Sequence, residues 1–586
     1  MLVRRRKRCI FVLVAVCIPA VCLTLYYKYV FDVKSHLSSR FVSFRRKLNF
    51  GSALNDKENE HDDRHLKRLT VIVNNGHQAN VTGLKNGSSV YLPFAFVRRY
   101  FDVYGDLDEK NDNIFHFNHA YGKRPPVEKY NSTGVYMDFN HVCVENRDRV
   151  KYVSGTDNVP LSIQWNKEGY VYPTQVAQYC LAHYSRWVSE VPQHELLIEN
   201  GSGQKNRWVV SNEEQMSIQS IRSRERRSYV LEFNTLNGGQ DDEQVDGVST
   251  KIDRRVKFPV FVFPVKFFAP SNVSFRIELN TGKEYVLVYS WSYDHFLHRT
   301  DTIIYYGIGQ CKEWHTVARN VVLDVYKGVM LGLKPSKARD VRQWNIVRLL
   351  SISLSGHGQL DSLILLDKGH IYQMKAGADW LVNNVDENGG WPVNIKRVIV
   401  PGMSVAPGWY SAMGQGQAMS CLCRLYKHTG NRKYLDAALK ATKVFDVLSE
   451  NRGVLARFAG TIPWYEEYPT QPPSFVLNGF MYSLIGLYDL SQVASHPVNS
   501  NAKRLYEQGL ASLRKLLLLY DLGLRTAYDL RHISLYSAPR VARWDYHIVH
   551  VTQLLTLGTI DHSTLLWNMT AERWELYMHG YRAPHN

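Results

Sequence analysis

The chain has 586 residues, of which 45% are hydrophobic and 21% charged. That length allows two to four domains, and the composition excludes general disorder and a disulfide-framework protein. Its formal net charge of +17 favours an anionic partner, and charge alone leaves open nucleic acid, phospholipid and acidic polysaccharide.

Residues 1–8 carry Arg4, Arg5, Arg6, Lys7 and Arg8 and read as a cytosolic tail. Residues 9–27, from Cys9 to Tyr27, are mostly apolar and uncharged, and about nineteen such residues suffice for a membrane-crossing helix. A cleaved signal peptide would have a shorter apolar run ending in small residues, so the stretch reads as an uncleaved signal-anchor of type II orientation. Everything from Lys28 onward is then lumenal, which argues against nucleic acid. Residues 28–66 are polar and read as a stem. Asn-X-Ser/Thr acceptors stand at Asn80, Asn86, Asn131, Asn200, Asn272 and Asn568. An anchor, a stem and a large glycosylatable region together suggest a Golgi enzyme. Five cysteines fall beyond the anchor (Cys143, Cys180, Cys311, Cys421 and Cys423), an odd number that leaves at least one thiol free or intermolecular.

Residues 67–150 read as a β-hairpin-rich region, with strands over 69–73 and 90–97 and a loop over 111–129. Arg147 and Arg149, spaced by two, would share one face of a strand and could hold a carboxylate or sulfate. Residues 151–368 contain alternating or apolar runs of strand length, such as Val256–Phe268 and Val273–Leu279. A β-sandwich is their simplest container. Pro173 is placed to open a helix through Arg186, and residues 313–330 suggest one helix. Residues 369–586 change to helical period, with apolar positions at i, i+3 and i+4 over 374–384, 414–426, 433–449, 475–493, 503–520, 549–559 and 565–578. Paired antiparallel helices of this kind make either an α/α-barrel (toroid-like) domain or a simple bundle. The fold class expected is thus a multidomain α+β chain with an N-terminal transmembrane helix.

No phosphate-binding glycine loop, zinc-binding His-Glu-x-x-His or serine-nucleophile elbow is present. Asp106-Leu-Asp108 is too short to identify a nucleotide-sugar transferase. What remains is phenols, carboxylates and guanidiniums: Trp464-Tyr-Glu-Glu-Tyr-Pro469, Tyr528-Asp-Leu-Arg-His532 and Arg543-Trp-Asp-Tyr-His547. Each motif alone can be an ordinary turn with a surface ion pair. Together they suit proton transfer on an anionic substrate.

These motifs, with Arg147-Asp-Arg-Val150, Asn388-Gly-Gly-Trp-Pro392, Pro407–Met413 and Ser474–Leu490, resemble the D-glucuronyl C5-epimerase family of heparan sulfate and heparin biosynthesis. The resemblance is dense from about 370 to the end and near 140–184, and loose across the sandwich. It implies inversion of glucuronate to iduronate at C5 within the polymer. Glu467 and Tyr546 would be the acid/base pair, Tyr528 a third catalytic residue, and Arg531 the counter-ion of the substrate carboxylate. A tyrosine acting as base would need Arg531, Arg543 or His547 to favour its phenolate. Arg147, Asp148, Arg149, Gln164, Tyr172, Gln175, Tyr468, Asn478, Tyr482, Arg543, Trp544 and His547 would bind substrate. The resemblance also implies a homodimer, no organic cofactor, association with other Golgi heparan sulfate enzymes, and a structural calcium ion with Asp361 among its ligands. A polysaccharide lyase shares the first proton abstraction, and a non-catalytic heparan-binding protein would need only the basic residues.

Overall fold

In the computed structural model, the described residues are 67–73, 79–100, 103–108, 111, 113–119, 124–203, 207–210, 214, 216–235, 247–293, 298–331 and 344–583. The expected tail, anchor and stem lie outside them. Among the described residues no helix is long and apolar enough to cross a membrane.

The chain divides into two compact units, with the break after Tyr100. The first contains a three-stranded antiparallel sheet, Lys67–Val73, Ala79–Asn86 and Ser89–Tyr91, followed by helix α1 (Phe94–Tyr100). The strand expected over 90–97 therefore stops at Tyr91. Pro93 can donate no ladder hydrogen bond, and its carbonyl accepts the first helical bond, from Phe96 N at 2.9 Å.

The second unit opens with a hairpin pairing Val103–Leu107 with Phe115–His119, so part of the expected 111–129 loop is strand. Its sandwich has two sheets. One runs, in spatial order, through Trp208–Val210, Val248–Arg255, Ile346–Ser355, Asn272–Leu279, Glu284–Ser290, Ile303–Gly307 and His298–Arg299. The other runs through Met216–Ser223, Ser228–Thr235, His357–Leu360, Val260–Phe267, Leu363–Leu366 and Glu195–Glu199. Val273, Phe275, Ile277 and Leu279 alternate into the shared core, as period-two patterning requires. Strand Val260–Phe267 is apolar on both faces because both are covered. Phe261, Phe263 and Val265 enter the sandwich core, while Val260 and Val262 pack towards Tyr372 of the helical region.

Helix α2 (Pro173–Ser189) begins at Pro173, as expected from a proline at the first helical position. The segment 313–330 splits into strand His315–Asn320 and helix α3 (Val321–Met330), because the Asn320 side chain caps the helix by accepting from Leu323 N at 3.0 Å. The helical region then comprises α4 (His370–Asn383), α5 (Ala412–Thr429), α6 (Arg432–Lys440), α7 (Leu477–Val493), α8 (Ser500–Leu516), the short α9 (Arg531–Leu535), α10 (Trp544–Ile560) and α11 (Leu566–Met578). The helix expected over 433–449 ends at Lys440, where the Gly389 loop lies against the Lys440 carbonyl.

Helix α2 packs on α4 and α5, α5 on α7, α7 on α8 and α10, and α10 on α11. A disulfide joins Cys180 of α2 to Cys421 of α5, leaving Cys143, Cys311 and Cys423 as free thiols. Helix α7 is apolar nearly all round and correspondingly buried. It crosses α5 through glycine: a Cβ on Gly486 would lie 2.1 Å from the Gly416 carbonyl oxygen. Trp464 stacks on Phe480 at 3.6 Å between ring centroids, and truncating such a residue to alanine costs about 3–5 kcal/mol.

Candidate active site

A cavity of about 260 Å³ opens where α2, α5, α7, α10 and the 138–149 and 464–468 segments meet. Its wall contains Glu467, Tyr546, Tyr468, Asn478 and Tyr482 from the C-terminal region. Arg147, Arg149, Gln164, Tyr172 and Gln175 arrive from the segment before and at the start of α2. Ten of the residues expected at the site are thus brought together across some 400 positions of sequence.

Local structure explains each placement. Arg147 and Arg149 stand on a turn preceding strand Val150–Val153, where the sequence had suggested a strand. Both still face the cavity. Burial, and secondarily its neighbour Arg149, bring the Arg147 guanidinium down to about 10, so an anion entering here relieves an existing cost. Gln175 is in the first turn of α2, and both ends of its buried amide lack a partner among the described residues. Glu467 Oε2 and Asn478 Oδ1 are likewise buried and unpartnered. Clustered orphans of this kind call for a polar ligand, since buried polar atoms are otherwise nearly always paired.

Glu467 directly follows strand Ile462–Tyr465 and Glu466. Glu466 is buried behind it and accepts from Phe475 N at 2.9 Å and Ser474 Oγ at 3.0 Å. Burial pushes the Glu466 carboxyl up to about 8, those hydrogen bonds opposing the rise. Burial likewise raises Glu467 to about 7, against the Tyr468 hydrogen bond and the charges of Arg540 and Arg397. Gly479 of α7 makes the room: a Cβ there would lie 2.5 Å from Glu467 Oε2. Tyr546 is raised by burial and then by Glu467, with Arg543 and Arg149 opposing. At neutral pH the pair therefore rests as a carboxyl group near its own midpoint beside a protonated phenol. No neighbour brings either Tyr528 or Tyr546 below its ordinary value.

Six expected residues stand outside the cavity wall. Tyr528 backs it, its ring edge-on to Tyr546 at 4.9 Å between centroids. The Arg540 guanidinium lies 4.4 Å from the Tyr528 ring centroid. Arg531 begins α9 with Nε 3.5 Å from Asp529 Oδ1, and Asp148 occupies the arginine turn without joining the wall. Arg543 is largely exposed and donates to Asp545 Oδ2 at 2.7 Å. Trp544 carries the Arg525 guanidinium 4.1 Å from its ring centroid. The expected role of His547 in favouring a phenolate does not hold. Its Nδ1 accepts from Thr526 N at 3.2 Å, Nε2 donates to the Trp574 carbonyl at 2.8 Å, and burial brings the ring down to about 4. It is a neutral core histidine on the far side of α10.

Residues missing from the sequence reading include Gln178, Asp138, Thr174 and Met413. Gln178 accepts from Arg147 Nη1 at 2.7 Å and lies one turn beyond Gln175, a spacing that already placed it on the same face. The other three carry no such signal. Arg397 stacks 4.6 Å from the Trp165 ring centroid and 6.0 Å from that of Tyr468, beside the same wall.

Asp361 lies apart, in the sandwich. Its Oδ2 accepts from Arg226 Nε at 2.7 Å and its Oδ1 from Ser228 Oγ at 3.2 Å. Calcium takes six to eight oxygens. Among the described residues no three His, Cys, Asp or Glu side chains gather as a metal site.

The family profile described as the D-glucuronyl C5-epimerase C-terminus matches residues 385–576, and that of the family's β-sandwich domain matches residues 227–357. A D-glucuronyl C5-epimerase of Caenorhabditis elegans is 35% identical over 560 residues, covering 86% of this chain and 87% of that protein. An uncharacterised protein of Methanocaldococcus jannaschii is 29% identical over 186 residues, 31% of this chain and 53% of that one. With matches to both its sandwich and its helical region, and likeness along nearly its whole length, this chain belongs to the D-glucuronyl C5-epimerase family.

Proposed function

We propose that this chain inverts C5 of D-glucuronate to give L-iduronate within an N-sulfated heparan sulfate or heparin precursor. The observation that carries the reading is a single cavity holding a carboxyl group of raised affinity for protons, a protonated phenol and two arginines. The C5 proton is alpha to a carboxylate. Its removal generates a dianionic enolate, which Arg147 and Arg149 are placed to stabilise. Glu467 as carboxylate takes the proton and Tyr546 as phenol returns one to the opposite ring face. This division uses each group in the form its surroundings favour. Tyr528 and Arg540 support Tyr546 from behind, Arg531 and Arg543 draw the polymer's charge, and Tyr468, Asn478 and Tyr482 hold the sugar. No electrons leave the substrate, so no organic cofactor is required.

The same reading places the chain in the Golgi membrane as a type II protein, with residues 9–27 as anchor, a lumenal homodimer as the working form, and the helical region as an α/α toroid. The uncharged apolar run over 9–27 and the sequons beyond it support the anchored, lumenal orientation.

The test is solvent exchange. Lumenal protein in deuterated water should place deuterium at C5 of N-sulfated glucuronan without forming an unsaturated, ultraviolet-absorbing uronate. Glu467→Gln and Tyr546→Phe should each lower exchange by about 10²–10⁴-fold while retaining the polymer. Wild-type protein without exchange refutes the activity, and full exchange in both variants refutes the assignment.

A further inference from the structure

The two arginines of the cavity stand on a turn, and loops hold side chains less firmly than helices or strands do. Three backbone bonds hold this one, Arg147 N to Val144 O at 3.2 Å, Val150 N to Arg147 O at 2.9 Å and Ile163 N to Arg149 O at 2.8 Å. A second restraint comes from the sandwich. Lys327, on α3, is only 4% exposed. Its ammonium donates to the Arg147 carbonyl at 3.0 Å and to the Val150 carbonyl at 2.8 Å. Those carbonyls flank Arg149. Further along the same strand, Arg319 donates to the Val153 carbonyl at 2.9 Å and the Ser154 carbonyl at 2.6 Å. Arg319 is fixed in turn by Asp324 of α3, through contacts of 2.7 and 2.9 Å. Two sandwich cations thus grip four carbonyls of the segment that carries the arginines.

An ammonium taken out of water is costly, and an apolar side chain would fill the same space with less penalty. What the charge supplies is direction. It aims two carbonyls at one point and so sets the path of the backbone between them. From the other side Gln178 holds the Arg147 guanidinium. Backbone and head group are therefore fixed independently.

We infer that Lys327 is a positioning residue for the reaction. It sets the Arg147–Arg149 turn before substrate arrives and acts through both arginines, without itself lining the cavity. This rests on reading the cavity as the uronate site. The β-sandwich is then part of the substrate-binding apparatus.

The test is Lys327→Gln in the full lumenal protein, with turnover of N-sulfated glucuronan followed by deuterium at C5. Because the arginines it holds stabilise the enolate, preorganisation predicts a fall in kcat/KM of about fivefold or more. In an Arg147→Ala, Arg149→Ala background the same substitution should leave kcat/KM unchanged, because residues acting through one another are non-additive. An unchanged kcat/KM in folded Lys327→Gln protein overturns the inference, as does a full Lys327→Gln effect in the background lacking both arginines. Should Lys327→Gln not fold, Lys327→Met carries the same expectations. Wild-type protein that exchanges nothing is a failure of the uronate reading itself, and the inference falls with it.

Discussion

Gly479→Ala is a small substitution aimed at one atom group. In the first turn of α7, Gly479 lies against Glu467: an added Cβ would stand 2.5 Å from Oε2, 2.6 Å from Cβ and 3.0 Å from Cγ of that residue. Restoring an ordinary contact of about 3.4 Å to the Glu467 Cβ needs a shift of about 0.8 Å. The backbone is poorly placed to give way, since Glu466 N donates to Val454 O at 2.7 Å and Glu466 O accepts from Ala412 N at 2.9 Å. The displacement therefore passes into the carboxylate. Overpacking of this kind costs about 1–3 kcal/mol, and alanine returns about 1 kcal/mol of helix propensity, so folding loses at most about 2 kcal/mol. Catalysis is more exposed, because a misplacement near 1 Å costs about 10²-fold. The expected result is a fall of about 10²-fold in C5 deuterium incorporation by protein that melts within a few degrees of wild type. Exchange within twofold of wild type in folded Gly479→Ala protein would refute the argument that this glycine exists to seat Glu467.

Two further outcomes follow from the electrostatics and the covalent structure. Glu467 must be ionised to act as base and its carboxyl is raised to about 7, so kcat/KM should climb between about pH 6 and 8 and stay level until Tyr546 ionises above its ordinary value near 10; an acid limb near pH 4.5 would remove Glu467 from that role. The Cys180–Cys421 disulfide closes a sequence separation of 241 residues, and removing it as the Cys180→Ala, Cys421→Ala pair should cost about 2–4 kcal/mol in denaturant unfolding; identical midpoints for the variant and the oxidised wild type would contradict that.

Much of the architecture could be read from periodicity. The alternation in Val273–Leu279 and the all-round apolar character of α7 each followed from one dominant force, burial of a patterned face. Boundaries were lost where a single residue decides, as at Pro93 or the Asn320 cap. In the site, the cavity residues came from motifs, while the role given to His547 by sequence adjacency did not hold. His547 follows Tyr546, yet consecutive positions on a helix point about 100° apart, so Tyr546 faces the cavity and His547 faces Trp574. Arg540 reaches Tyr528 across a loop, and Lys327 reaches Arg147 from 180 positions away. Neither approach leaves a trace in local pattern.

The glycine contact between α5 and α7 bears on evolvability. Met413 and Asn478 stand near the starts of these two helices and line the same cavity, while Gly416 and Gly486 set how closely the helices approach. Any side chain at Gly486 would push its helix away by about 1 Å, and close-packed helices transmit such a change along their length. The width of the cavity is therefore written partly in two glycines outside its wall. Drift at that crossing would move the wall and, through Gly479 on the same helix, the seat of Glu467 with it.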